Sequence, residues 1–247
     1  MKSQTMVMLR RNFLHTRRNR VTLFNAVLMP IIMMLIFVYV FGGAFNVQGN
    51  YVDYATPGML MMAVSYGLSP TAMAVSADMT NGIINRFKVM DVSRSAVLTG
   101  QVVSTVVRTM LALVAMTGVA LLMGFRPVAS FPQWLAAIGV VVLMVFAVSW
   151  LTIALGLAAK NSESAGFVTV PLIMLPFLSS AIVPAGKMGP GIREFAEYQP
   201  FTPIIETLRG LFNGTPSTGQ TIAAIAWSLG IGIVGYLWAR AKFSKRA

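Results

Sequence analysis

Residues 134–158 read WLAAIGVVVLMVFAVSWLTIALGLA, and this stretch decides the class of the protein. It holds no Asp, Glu, Lys or Arg over its 25 residues. Crossing the hydrocarbon of a bilayer takes about 20 mostly apolar residues in a helix. Nothing in lipid can hydrogen-bond a bare backbone, so a run of this kind must pair its own amides, and the helix is how it does so. The stretch is a membrane span.

Working outward, five further runs have the same character. They cover residues 21–41, 57–77, 103–124, 166–183 and 220–238. The fifth run in chain order, 166–183, is the least regular, because Pro171 and Pro176 interrupt it and Pro184 follows it. Proline lacks an N–H, so these positions should kink or end the helix. Residues 21–41 are too long for the apolar region of a cleavable signal, and no small-residue cleavage site precedes Asn46, so the run is expected to remain as a span. No linker, repeat or low-complexity segment divides the chain. The expectation is one all-α integral membrane domain over residues 21–247, with six transmembrane helices, preceded by residues 1–20.

Composition agrees. The chain has 247 residues, 56% hydrophobic and 11% charged, with a mean hydropathy of +0.74. A soluble domain carries about 25% charged residues, because its surface faces water. These values exclude a soluble enzyme. The net charge is +12, yet the cations cluster beside apolar runs, which speaks for lipid headgroups rather than nucleic acid. With both termini and the even-numbered connections inside, only Arg126, Lys187, Arg193 and Arg209 of the nineteen Lys and Arg lie outside. That bias predicts cytoplasmic termini.

There is no cysteine, so disulfides and thiolate chemistry are excluded. His15, the sole histidine, sits among Arg10, Arg11, Arg17 and Arg18 and reads as a solvated residue of a basic segment. No G-x-x-x-x-G-K-[ST] loop, H-E-x-x-H or G-x-S-x-G string occurs. If ATP drives this protein, hydrolysis belongs to another chain. Intramembrane carboxylates and histidines, which proton-driven carriers need, are nearly absent. Arg108 is the exception, one to two turns inside the third run, from where it would snorkel to the cytoplasmic face.

Three connecting segments carry more than topology. Residues 2–20 are basic, with Met6, Leu9 and Phe13 at helical spacing, and read as a helix on the cytoplasmic membrane surface or as a topogenic tail. Residues 78–100 read DMTNGIINRFKVMDVSRSAVLTG, with Ile83, Ile84 and Phe87 forming an apolar stripe beside Arg86, Lys88 and Arg94. That is either a short amphipathic helix fit for a groove on a cytoplasmic partner or a loop hugging the membrane. Residues 184–219 are too polar to span and too apolar for a linker. A helix near 192–198, a break at 199–203 and a helix near 202–212 fit the pattern, with Thr202 as N-cap and Pro203 at the first helical position. Broken helices enter a bilayer only where protein or water covers them. The segment reads as a re-entrant hairpin near the outer leaflet, against the alternative of an external cap. Ala224, Ser228 and Gly232 recur at every fourth residue of the last span, which suits close contact within the chain or with a second copy.

Two stretches carry a family resemblance. One is DMTNGIINRFKVMDVSRSAVLTGQ at 78–101, and the other is FLSSAIVPAGKMGPGIREFAEYQPFTPIIETLRGL at 177–211. Together they resemble the permease subunits of ABC-2-type exporters, in particular the daunorubicin-resistance type. The order of six spans behind an N-terminal surface helix extends the likeness over the whole chain. One departure is visible: Val89-Met90-Asp91-Val92 stands where such permeases often place a proline before the S-R pair.

The resemblance implies a multi-pass bacterial plasma-membrane exporter subunit. Residues 78–91 would form a coupling helix against a cytoplasmic ATPase, with Ile83, Arg86 and Phe87 in contact and Asp78 and Gly82 shaping its start. Residues 192–212 would form the outer re-entrant helices, with Pro200, Thr202 and Pro203 at the break. Two permease chains would pair, a homodimer or a pair of close homologues, served by two ATPase copies that bind ATP and Mg. This chain would bind no cofactor or metal and catalyse nothing itself. The expected cargo is a hydrophobic or amphipathic compound. An ion-coupled carrier acting alone and a membrane scaffold for a cytoplasmic partner are the rival readings.

Overall fold

The computed structural model describes residues 20–43, 49–80 and 94–246. Among these residues every regular element is helical. In chain order they are α1 (Arg20–Leu35, extended by a π-helical turn Ile36–Phe41), α2 (Tyr51–Tyr66), α3 (Leu68–Thr80), α4 (Arg94–Leu122), α5 (Phe131–Ala158), α6 (Ser162–Met174, extended by the 3₁₀ turn Leu175–Leu178), α7 (Ile192–Tyr198), α8 (Phe201–Phe212) and α9 (Thr218–Arg246). Residues 1–19, which include the expected surface helix, lie outside the described residues.

Each of the six apolar runs carries helix, though the fifth leaves it after Leu178. Among the described residues four helices are long and apolar enough to cross a membrane: Tyr51–Thr80, Leu98–Leu122, Phe131–Ala158 and Thr218–Ser244. Shorter apolar helices, Leu28–Val40 and Ser162–Leu178, occupy the first and fifth runs.

Several ends move from their expected places, each for a local reason. The fourth run begins at Phe131, because Ser130 and Gln133 form a capping box ahead of it, with the Ser130 amide donating to Gln133 Oε1 at 2.7 Å. The second begins at Tyr51, where the Asn50 side chain accepts from the Val52 amide at 3.2 Å. The third starts at Arg94 instead of 103, because Leu98 and Val102 are buried against Trp150, Leu157 and Phe243. The fifth stops at Leu178, where Pro176 sits in the tightened last turn. Prolines constrain a helix because they lack the donor that closes the preceding turn.

The bundle is organised around α5, which packs against α3, α4, α6, α8 and α9. Its most extensive partner is α9, and the small residues of α9 explain the closeness. Gly232 lies against Ala147, Ser228 Oγ approaches Met144 Sδ at 3.9 Å, and a Cβ on Gly235 would fall 2.5 Å from the Leu151 amide nitrogen. The small-residue face is thus used within the chain.

Five buried hydroxyls are settled within their own helices. Thr56, Ser149, Thr152, Thr207 and Ser228 each donate to the carbonyl four residues back, at 2.6–2.8 Å. Such back-bonding removes a polar group from an apolar interior without a second element. Large apolar side chains cover the outside: Leu122 is 89% exposed, Phe131 76%, Phe167 71% and Val114 70%. A surface of that kind needs lipid as its solvent.

Candidate functional site

The expected break in the 184–219 segment is present, with the cap of the second helix two residues earlier than expected. α7 ends at Tyr198, Gln199 is extended, and α8 begins at Phe201 with Pro200 at the cap position. Thr202 and Pro203 are therefore in the first turn of α8, and Thr202 is not its N-cap. Its hydroxyl accepts instead from the Ser180 amide at 3.3 Å, which ties α8 to the turn after α6. Gln199 Nε2 donates to the Leu175 carbonyl at 3.2 Å and lies 3.5 Å from the same hydroxyl.

α8 is almost wholly interior. Phe201, Ile204, Ile205, Leu208, Leu211 and Phe212 are buried, and the helix packs on α2, α5, α7 and α9. Phe212 closes its far end, edge-on to Phe125 and tilted against Trp134 with ring centroids 5.5 and 5.1 Å apart. A short helix held on four sides is a structural member of the bundle.

Residues 179–182 run irregularly through buried protein, and their carbonyls need donors. Tyr54 Oη donates to the Ser180 carbonyl at 2.9 Å, and Tyr51 Oη donates to the Ile182 carbonyl at 3.3 Å. Arg209 Nη2 adds a second bond to the Ser180 carbonyl at 2.9 Å. The same guanidinium reaches the Tyr54 carbonyl through Nη2 at 3.1 Å and Nε at 3.3 Å, pairs with Glu206, and lies 3.8 Å above the Tyr54 ring. Arg209 is thereby the staple of α2, the 179–182 turn and α8.

The approach of α2 to that turn depends on Gly58. A Cβ there would sit 2.5 Å from Ala181 Cα and from its carbonyl oxygen, both backbone atoms that cannot rotate aside. The Ser180 hydroxyl and Gln199 Oε1 are buried without a protein partner at this junction.

Asp53, one residue before Tyr54, accepts from the Arg126 amide at 2.8 Å. Of the four cations expected outside, Arg126 and Arg209 both meet the start of α2. On α7, backbone amides of Glu194 itself and of Gly191 hold the Glu194 carboxyl below its usual range.

Arg108 departs from its expected place. It lies in the middle of α4, and its guanidinium turns to the break between α2 and α3 instead of running to a membrane edge. Nη2 donates to Thr71 Oγ1 at 2.6 Å and to the Gly67 carbonyl at 3.3 Å. The snorkelling expectation failed because α4 starts nine residues earlier than the hydropathy pattern suggested, which moves Arg108 away from that end.

Of the expected coupling residues, Asp78 falls in the last turn of α3. Gly82, Ile83, Arg86 and Phe87 lie outside the described residues. Among the described residues no group of three metal-ligating side chains comes together. Sequence reasoning missed Tyr54, Gly58 and Ser180, and took Gln199 only as the start of the break. The signal for Ser180 was its place within the quoted 177–211 stretch, whereas Gly58 lies in an ordinary apolar run and Tyr54 just ahead of it.

The profile of the ABC-2 type transporter family matches residues 3–213, which covers both ends of the staple and most of the bundle. The chain belongs to the ABC-2 type transporter family. Among its relatives, the daunorubicin resistance ABC transporter permease protein DrrB1 of Streptomyces coeruleorubidus is 30% identical over 86% of this chain and 76% of its own length. A probable doxorubicin resistance ABC transporter permease protein, DrrC, of Mycobacterium tuberculosis is 24% identical over 94% of this chain and 85% of its own. A putative transport permease of Porphyra purpurea is 22% identical over 89% and 78%. As an ABC-2 family member with several apolar helices, the chain is a multi-pass membrane permease of the ABC exporter type.

Proposed function

We propose that this chain is the membrane-spanning subunit of an ATP-driven exporter that moves a hydrophobic or amphipathic compound out of the cell, powered by a separate ATPase subunit. The observation that carries the reading is the family match over residues 3–213, joined to relatives named for daunorubicin and doxorubicin resistance. The absence of a nucleotide-binding loop from this sequence supports a second chain as the ATPase, with ATP and Mg bound there.

In this reading the termini are cytoplasmic and the α7–α8 hairpin faces outward, as the Lys and Arg distribution favours. The hairpin is re-entrant, entering the outer leaflet under cover of α2, α5 and α9. Two permease chains pair, and each receives one ATPase at residues 78–91. Nucleotide must bind the two transporter conformations with different affinity, since no ligand shifts an equilibrium otherwise. The rigid outer end then moves as one body, because Arg209 ties α2, the 179–182 turn and α8 together.

The test is purification of the tagged chain from native membranes, followed by ATPase measurement. Co-purification of a P-loop ATPase with compound-stimulated hydrolysis is expected. Phe87→Asp should abolish the stimulation while leaving membrane insertion intact. Vectorial movement of cargo by the chain alone, without ATP, would overturn the reading.

A further inference from the structure

The α2–α3 helix is the longest apolar helix among the described residues, and it is broken near its middle. Pro70 has no N–H, so the carbonyl of Tyr66 loses the donor that an unbroken helix would supply. Gly67 sits at the break as the cap of α2. Arg108 is the charged side chain aimed there. Along the α4 axis it stands about 15 Å from Leu98 and about 21 Å from Leu122, at ~1.5 Å per residue. That is close to mid-depth in a helix that spans the bilayer.

A guanidinium at such a depth is expensive to place in lipid. What it receives in return is small. Nη2 makes both of its bonds, to Thr71 Oγ1 and to the Gly67 carbonyl. Nε and Nη1 meet no acceptor among the described residues, and no carboxylate there pairs with it. The surroundings are neutral and hydroxylic: the Thr105 hydroxyl is 3.5 Å from that of Thr71, and a Cβ on Gly67 would lie 3.5 Å from Thr109 Oγ1. Ser65, just before the break, has a buried hydroxyl without a partner. One edge of α4 beside the arginine is open, with Val107 43% and Leu111 59% exposed. The result is a fixed cation with free donors, a hydroxyl cluster behind it and an apolar approach in front.

We infer that Arg108 is a recognition point for an oxyanion, a carboxylate or a phosphate ester, carried on an apolar body. Arg suits this role because its guanidinium stays charged and carries more donors than the protein uses here, so a charge-assisted hydrogen bond to an oxyanion remains open. Thr71 and the Gly67 carbonyl take up Nη2 and leave Nε–H and Nη1–H as separate single donors for the ligand's oxygens. The inference rests on the permease reading for one point: that the apolar body is cargo. The same chemistry is offered by an anionic phospholipid headgroup, and the experiment separates the two.

The full-length chain is placed in phosphatidylcholine nanodiscs and exposed to a diazirine-bearing dodecanoate or to its uncharged amide at neutral pH. Saturable labelling is mapped by mass spectrometry to α3 and α4. The expected result is a preference for the acid of about ten-fold, in line with a hydrogen-bonded charge pair. Arg108→Gln should erase the preference while leaving amide labelling unchanged, and Arg108→Lys should keep part of it. Equal labelling by acid and amide in the unsubstituted chain overturns the inference, as does a preference that survives Arg108→Gln. If Arg108→Gln does not insert, the comparison of acid and amide in the unsubstituted chain and in Arg108→Lys decides alone.

Including phosphatidylglycerol in the disc identifies the source of the anion. Its abolition of labelling makes the oxyanion a lipid headgroup, and its indifference makes it the cargo's own. Dodecanoate stimulation of the co-purified ATPase is a separate readout. Arg108-dependent labelling without stimulation defeats the exporter reading and leaves the anion site standing. Stimulation without Arg108-dependent labelling does the reverse.

Discussion

Arg209 and Arg108 both reach into an apolar bundle from a helix, and they are held in opposite ways. Arg209 meets a carboxylate, two backbone carbonyls and an aromatic face. Its charge is answered, and its fork is filled by groups that belong to three different elements. Arg108 meets one hydroxyl and one carbonyl through a single nitrogen. A buried cation whose partners are all in place acts as a structural tie, because removing it strands those partners. A buried cation with unfilled donors contributes little to holding the fold, so its cost points to a task. The comparison teaches that a guanidinium's role is read from how many of its donors the protein itself uses.

That contrast predicts opposite mutational signatures. Arg209→Ala should have the largest effect, about 3 kcal/mol of lost stability, since it leaves Glu206 and the Ser180 and Tyr54 carbonyls short of a partner. Thermal unfolding in detergent, compared across variants, measures it. Gly58→Val should follow at about 2 kcal/mol, because its Cβ must displace the Ala181 backbone. Adding Gly58→Val to Arg209→Ala should give less than the sum, since both act on the α2 contact with the 179–182 turn.

Arg108→Met should change stability by no more than about 1 kcal/mol in either direction, because the loss of two hydrogen bonds is offset by the removal of a desolvated charge. A loss as large as that of Arg209→Ala would erase the distinction between the two sites.

The smallest effect lies at the start of α7. The Glu194 carboxyl is held below its usual range by backbone amides, so it contributes order above the ordinary carboxylate pKa, about 4.3, and that contribution is lost as pH falls through the depressed value. A nitroxide on Tyr198→Cys should gain mobility on acidification, and Glu194→Gln should remove that pH response.

Much of this architecture was legible because lipid leaves a chain few choices. The apolar runs around 134–158 are helices, since a backbone without water must pair with itself. The two helices of the 184–219 segment followed from apolar spacing and from the proline and glycine around them. Boundaries were less legible. Residues 94–102 look polar enough for a loop, and only the burial of Leu98 and Val102 against α5 and α9 makes them part of α4.

From residue order alone came the solvent, the helical class, the small-residue face of α9 and the break between α7 and α8, all of which depend on local hydropathy and backbone chemistry. The tertiary structure decided which carbonyls Arg209 and Arg108 reach, that Thr202 serves the Ser180 amide instead of capping its own helix, and that Gly58 must stay without a Cβ. Those outcomes depend on which distant segments come into contact: Tyr54 is separated from Arg209 by 155 residues and Gly67 from Arg108 by 41. No periodicity within one helix encodes a partner on another, because the contact exists only after the helices have packed.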